Sequence, residues 1–207
     1  MKWLNRIAAF LLLASLLALP QKAPATIITF DGIPPTMVDG SGVTIGGVTI
    51  RYEGFGLGAA AIADFGPILN SPFLLGDTVG TLMLDFAIPV SRLGFTFALD
   101  AVDPSGAPVN VNPGVFAELI PPGQQFGDFF TAAASLTANT AMTGLVEGTF
   151  SHAGQPISQA FLTFDSGNST VFVFDNLNFQ PVPEPSTLLL VAAGVVGAAL
   201  IRKKVTG

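Results

Sequence analysis

The middle of the chain has the alternation of apolar and polar positions that is typical of β-strands. Leu93, Phe95, Phe97 and Leu99 alternate with small or polar residues, which predicts a strand with one face in the core. Further strands are predicted at 26–30, 48–52, 82–86, 115–120, 126–132, 145–151, 162–164, 171–174 and 177–179. Turn sequences rich in Gly, Pro, Asp and Ser separate them. This pattern predicts an all-β fold, an antiparallel β-sandwich of about eight to ten strands with the Phe95 strand at its centre.

The N-terminal end has a different pattern. Residues 1–25 combine two early cations with an apolar run over 7–19, which predicts a secretory signal peptide. Ala23 and Ala25 supply the small residues that a signal peptidase needs, so cleavage is expected before Thr26. An uncleaved anchor is the alternative, and the short apolar run and the Ala-x-Ala site disfavour it.

The C-terminal segment 182–207 combines three features in a fixed order. Val182-Pro183-Glu184-Pro185 is expected to stay extended, because each proline fixes φ and lacks an N–H. Residues 188–201 contain only Leu, Val, Ala, Gly and Ile. Their length alone favours a buried helix or a processing signal, but their position directly before a basic end favours a short transmembrane helix. Arg202-Lys203-Lys204 follow and would hold that end in the cytoplasm.

This order resembles the PEP-CTERM sorting tail of Gram-negative bacteria. The resemblance implies recognition by an exosortase, transient insertion in the inner membrane, and removal of the helix near the Pro-Glu-Pro motif. The protein would then reach the cell surface or the extracellular matrix. A plain C-terminal anchor is the alternative.

The predicted domain between the two ends, residues 26–181, is strongly acidic. It contains two basic and thirteen acidic residues, a formal charge of −11 against −6 for the whole chain. This charge repels nucleic acid, which excludes nucleic-acid binding, and it tolerates neutral polysaccharide or divalent cations. The chain has no cysteine, which excludes disulfides and thiolate zinc sites.

No residue pattern in the domain indicates catalysis. His152 is the single histidine and no Gly-x-Ser-x-Gly motif accompanies it. Several of the acidic residues lie in predicted turns, where Asp side chains bond their own backbone, so a pair of glycosidase carboxylates is not indicated. No catalytic residue is therefore assigned, and the protein is predicted not to be an enzyme.

Two weaker candidate sites remain. The segments 28–32 and 174–179 resemble those of jelly-roll ectodomains similar to carbohydrate-binding modules, which implies that the first and last strands are neighbours. Asp31, Asp175 and Asn176 would then meet and could hold a structural Ca²⁺ ion, the one cofactor considered. Arg51-Tyr52-Glu53 is the candidate glycan site, because Tyr52 is the single Tyr and the domain lacks Trp.

These features together predict a non-enzymatic exported protein of the cell surface or exopolysaccharide matrix. A carbohydrate-binding module that recognises matrix polysaccharide is the alternative. The expected partners are signal peptidase and exosortase as processing enzymes, the inner membrane transiently, and extracellular polysaccharide.

Overall fold

The structure is a computed structural model that describes residues 23–54, 59–63, 72–100, 114–124, 130–133, 135–140, 145–165 and 171–182. These residues contain twelve strands and no helix. The strands are β1 (Thr26–Ile28), β2 (Thr36–Val38), β3 (Val43–Ile45), β4 (Val48–Glu53), β5 (Ala60–Ala63), β6 (Phe73–Asp77), β7 (Thr81–Asp100), β8 (Gly114–Ile120), β9 (Phe130–Ala133), β10 (Ser135–Thr140), β11 (Leu145–Asp165) and β12 (Val171–Pro181). Every strand pair is antiparallel.

Two long strands, β7 and β11, run antiparallel to each other and connect the whole sheet. The sequence predicts a pair of short strands in place of each, and this division is wrong. Pro89 and the segment 154–156 interrupt the pairing only locally, with register shifts between Ala153 and Gln159. A proline cannot donate to the ladder and Gly154 has a φ of 146°, so each strand bends there and then continues.

The bends divide the sheet into two layers. In layer A, the second half of β7 pairs with β12 and the first half of β11 pairs with β10. In layer B, the first half of β7 pairs with β4 and the second half of β11 pairs with β8. The hydrogen-bonded order β2-β5-β6-β12-β7-β11-β8-β9 therefore folds over on itself, and the prediction of an antiparallel β-sandwich is confirmed.

Aromatic side chains fill the space between the layers. The ring of Phe164 in layer B stacks on Phe172 in layer A, with centroids 4.1 Å apart. Tyr52 of β4 also packs against Phe172, and Phe86 packs against Phe179 at 5.2 Å. Full burial of each such ring contributes about 1.5–3 kcal/mol, so these contacts hold the layers together.

The first and last strands of the domain are neighbours, as the resemblance to jelly-roll ectodomains implied. β1 pairs with β12 through Thr26↔Phe179, Ile27↔Asn178 and Ile28↔Leu177. Residues Pro24–Val182 form one compact unit. Residues 1–22 and 183–207 lie outside the described part, and with them most of the predicted signal peptide and sorting tail.

Candidate functional site

The predicted processing residues lie where the folded domain begins and ends. Ala23 and Ala25 precede β1, and Thr26 is its first residue. At the other end the N–H of Val182 donates to the carbonyl of Pro89, 2.8 Å away, so the sheet holds the chain up to this residue. Pro183, Glu184, Pro185 and the basic end Arg202-Lys203-Lys204 lie outside the described residues.

The predicted transmembrane helix 188–201 also lies outside them. Within the described ranges, no helix is long and apolar enough to cross a membrane.

The calcium candidates lie in the turn after β1, at Asp31, and in β12, at Asp175 and Asn176, and both carboxylates already have protein partners. The rings of Phe30 and Phe174 are in contact at 6.2 Å, which brings the two chain segments together. The hydroxyl of Thr29 donates to Oδ2 of Asp31 at 2.7 Å, and the amide of Asn176 donates to Oδ2 of Asp175 at 3.2 Å. Among the described residues, no three His, Asp or Glu side chains cluster as metal ligands. Calcium binding stays a prediction.

The structure corrects the candidate glycan site at Arg51-Tyr52-Glu53. Tyr52 is only 3% exposed, so its ring cannot stack on a sugar. Its hydroxyl donates to the backbone carbonyl of Asp77 at 2.8 Å and to Oδ1 of the same residue. Burial, followed by the contact with Asp77, raises the pKa of Tyr52 well above its ordinary value.

Arg51 contacts a neighbouring strand on the outer face of layer B. Its Nε donates to Oδ2 of Asp85 at 2.6 Å, and the amide of Gln159 donates to Oδ1 of the same carboxylate at 2.7 Å. The guanidinium of Arg51 is therefore neutralised by a cross-strand partner. These side-chain bonds join three neighbouring strands, β4, β7 and β11.

A groove of about 340 Å³ lies on the outer face of layer A, where β12, β7 and β11 run side by side. Its size is at the lower end of the roughly 300–1,000 Å³ that is usual for ligand sites. The residues that present side chains in it are neutral or basic. They are Arg92, Thr96, Thr149, Ser151, His152, Ala153, Asn176 and Asn178.

A bulge in β12 determines how the two asparagines reach this groove. The register with β7 shifts between Asp175 and Asn178, and Asn176 has a φ of 52°. Asparagine is one of the few residues that adopts this left-handed conformation at little cost. The bulge leaves both Asn176 and Asn178 exposed on the same face, with the buried Leu177 between them.

The register then places the groove's side chains in rows across three strands. Asn178 pairs with Gly94, and Gly94 pairs with Ser151. The amide of Asn178 lies over Gly94, where an added Cβ would approach its nitrogen and oxygen to 2.9 Å. In the next row Thr96 accepts from the amide of Asn176 at 3.1 Å.

Sequence reasoning considered two groove residues for different roles, Asn176 for calcium and His152 for catalysis, and missed the others. The available signal was the small or polar alternation of the Phe95 strand, which marks Gly94 and Thr96 as outward-facing. That signal cannot show which strands lie on either side of them.

Comparison with known proteins identifies the C-terminal segment. A family model for the PEP-CTERM protein-sorting motif matches residues 181–204. The chain carries a PEP-CTERM sorting motif. None of the curated proteins matches the chain.

Solved structures of carbohydrate-binding modules are similar to the described domain at low scores. A CBM22-1–GH10 xylanase 10B structure from Clostridium thermocellum, complexed with xylohexaose, gives 7% identity and a TM-score of 0.44 over 78% of this chain. The match spans 29% of that xylanase chain. The CBM22-1 xylan-binding domain of Paenibacillus barcinonensis Xyn10C gives 11% identity and 0.37 over 79% of this chain and 98% of its own. A family 29 module gives 11% identity and 0.33, covering 76% and 92%. Scores of this size carry no argument about what the chain binds.

Proposed function

We propose that the protein is an exported, non-enzymatic component of the cell surface or extracellular matrix of a Gram-negative bacterium, and that an exosortase processes its tail. The observation that carries this proposal is the sorting motif at residues 181–204, which starts where the sheet ends. Because the sheet holds the backbone up to Val182, the Pro-Glu-Pro motif follows the fold without an intervening linker.

The register of β1 and β12 supports two processing events that leave the domain intact. Cleavage before Thr26 leaves all of β1, and cleavage in or just after Pro183-Glu184-Pro185 leaves all of β12. Neither cut removes a residue of the twelve described strands. On this proposal the tail is cleaved off after export, and the sandwich remains at the cell surface.

Mass spectrometry of surface and matrix fractions tests this proposal. The mature protein should begin at Thr26, end near Pro185 and give no peptide from 188–201. Replacing Pro183-Glu184-Pro185 by alanines should leave uncut protein in the inner membrane, whereas alanines at Ser186 and Thr187 serve as the matched control. Normal release of the first variant, or a wild-type protein that keeps Lys204, would leave only a plain anchor.

The proposed absence of catalysis is supported by the surroundings of the single histidine. Nε2 of His152 lies 3.1 Å from the carbonyl oxygen of Gln155, the geometry of an N–H donated to the backbone. A histidine held in this way is a turn-stabilising residue at the bend of β11. Assays of glycan hydrolysis with the purified protein should show no turnover above the rate of buffer alone.

Association with extracellular polysaccharide is the second candidate function, and the groove on layer A favours it. The domain as a whole is strongly acidic, yet the side chains that line the groove are neutral or basic. A surface of this kind suits a hydroxyl-rich ligand better than a cationic one. Pull-down on the producing cell's own polysaccharide tests it, and saturable binding would support the candidate.

A further inference from the structure

The side chains of the groove have a chemistry that matches one class of ligand. The amide nitrogen of Asn176 already donates to Thr96 and to Asp175, and that of Asn178 donates to the carbonyl of Asn176. The second N–H and the oxygen of the Asn178 amide, the oxygen of the Asn176 amide and the hydroxyls of Thr149 and Ser151 can still donate or accept hydrogen bonds. A sugar hydroxyl does the same. An array of such groups on a shallow face therefore fits a saccharide chain, whose hydroxyls replace the water that otherwise covers the groove.

The backbone around the groove is shaped so that the two amides stand close together and exposed. The bulge at Asn176 has a φ of 52°, a left-handed conformation that asparagine adopts more readily than most other non-glycine residues. Gly94 lacks a Cβ at the one point where the amide of Asn178 crosses β7. The bulge in β12 and the missing Cβ of Gly94 in β7 thus both contribute to the exposed position of the two asparagine amides.

The groove also holds a cation that is not used in an ion pair within the described residues. The predicted domain has only two basic residues, Arg51 and Arg92. Arg51 pairs with Asp85 on layer B, whereas Arg92 is exposed at the edge of the groove. A guanidinium at this place can donate to adjacent hydroxyls or to a sugar carboxylate.

We propose that this groove is a saccharide-binding site in which Asn176, Asn178 and Arg92 contact the hydroxyls of an extracellular polysaccharide. The proposal rests on the proposed surface location and adds to it the class of ligand and the residues that bind. Since the aromatic rings near the groove, Phe95 and Phe150, are buried, binding relies on hydrogen bonds. Replacement of a single contact residue should therefore lower the binding affinity measurably.

Affinity electrophoresis of the full chain in mild detergent tests the site. The gels contain the producer's own polysaccharide, a neutral dextran, or alginate as a uronic acid polymer. Asn178→Ala and Arg92→Ala should each weaken binding about tenfold, the effect of losing one or two hydrogen bonds. Gln159→Ala and Arg51→Ala remove the same groups from layer B and should stay within about twofold of the wild type.

Gly94→Ala provides a second variant that removes no polar group. Its Cβ displaces the amide of Asn178, a movable side chain, so binding should fall while the far-ultraviolet circular dichroism spectrum is unchanged. Loss with Arg92→Ala on alginate alone would assign Arg92 to a carboxylate, and loss on dextran as well would assign it to hydroxyls. Both results support the site.

Three results would overturn the inference. They are wild-type affinity in all three groove variants, equal losses in the layer B controls, and no retardation of the wild type on any of the polymers. None of these results would contradict the proposed export and processing, because those are tested separately by mass spectrometry of the mature N- and C-termini. A protein that binds polysaccharide but keeps its tail would instead refute the proposed processing alone.

Discussion

The hydroxyl of Tyr52 provides a test of how the two layers are joined. It extends from β4 in layer B and donates to the carbonyl and carboxylate of Asp77, the last residue of β6 in layer A. Tyr52→Phe keeps the ring on Phe172 and removes only the hydroxyl. A buried hydrogen bond to a charged group contributes about 1.5–3 kcal/mol, so the free energy of unfolding should fall by that amount near neutral pH. Urea unfolding followed by circular dichroism measures it.

The same residue gives this test a pH dependence of known sign. Burial raises the folded-state pKa of Tyr52 above its ordinary value of 10.0. The unfolded chain therefore loses this proton first as the pH rises. The stability that the protonated hydroxyl contributes is fully present below pH 10.0 and declines above it. The Tyr52→Phe variant lacks this decline, so the two unfolding free energies should converge in alkali.

The chain offers an unusually direct readout, because Tyr52 is its single tyrosine. The near-ultraviolet absorbance of tyrosinate therefore reports this one group. It should appear in the folded protein only well above pH 10.0, and near pH 10.0 once urea has unfolded the chain. A folded protein that titrates at the ordinary value, or a variant that loses less than about 0.5 kcal/mol, would refute the buried bond to Asp77.

Three further substitutions test the core and the surface. Phe172→Ala removes the ring that stacks on Phe164 and should cost about 3–5 kcal/mol in urea unfolding, because Phe172 is fully buried. Phe116→Ala is its control at 46% exposure and should change stability by about 0.5 kcal/mol or less; equal losses would contradict the assigned core. Arg51→Ala breaks the partly exposed pair with Asp85 and should cost no more than about 1 kcal/mol, falling further with added salt; a larger, salt-independent loss would contradict a surface pair.

The class of fold could be predicted because the core of a sandwich is encoded by local alternation. Leu93, Phe95, Phe97 and Leu99 are all buried in the structure, as their period of two requires. The same alternation placed Tyr52 on one face with Val48 and Ile50, and both of these are fully buried. The alternation therefore predicts that Tyr52 is buried, which disagrees with the prediction of a glycan site at Tyr52.

The continuity of β7 and β11 could not be predicted from the same signal. Pro89 and Pro156 each interrupt the alternation that defines a strand, and the sequence accordingly predicts separate strands on either side of each proline. Whether the chain turns back or merely bends depends on the partner strands, which are far away in sequence. Here β11 pairs with β7 on both sides of the bend, from Ala153↔Arg92 to Gln159↔Asp85, and this pairing keeps each strand extended.

The groove was beyond sequence reasoning for a related reason. It is assembled from 92–96, 149–153 and 176–178, three segments whose adjacency is set by register across the sheet. The bulge that exposes both asparagines is a shift of pairing between β12 and β7, and a one-residue shift changes which face a side chain occupies. The alternation in 174–179 is out of phase, since Phe174 and Phe179 are five residues apart and both buried, but this local signal does not show which strands lie beside the bulge.

The position of the groove along β12 connects it with the processing of the tail. Asn178 pairs with Ile27 on one side and with Gly94 on the other, so one short row includes β1, the groove and the centre of layer A. Val182 lies four residues further, roughly 13 Å along an extended strand, and Thr26 pairs with Phe179 between them. Both ends of the domain at which we propose processing therefore lie at the end of the sheet nearest the groove. Because β1 and β12 pair at this end, the two proposed cuts outside this pairing would change how the domain is attached and would leave the described strands, with the groove, unchanged.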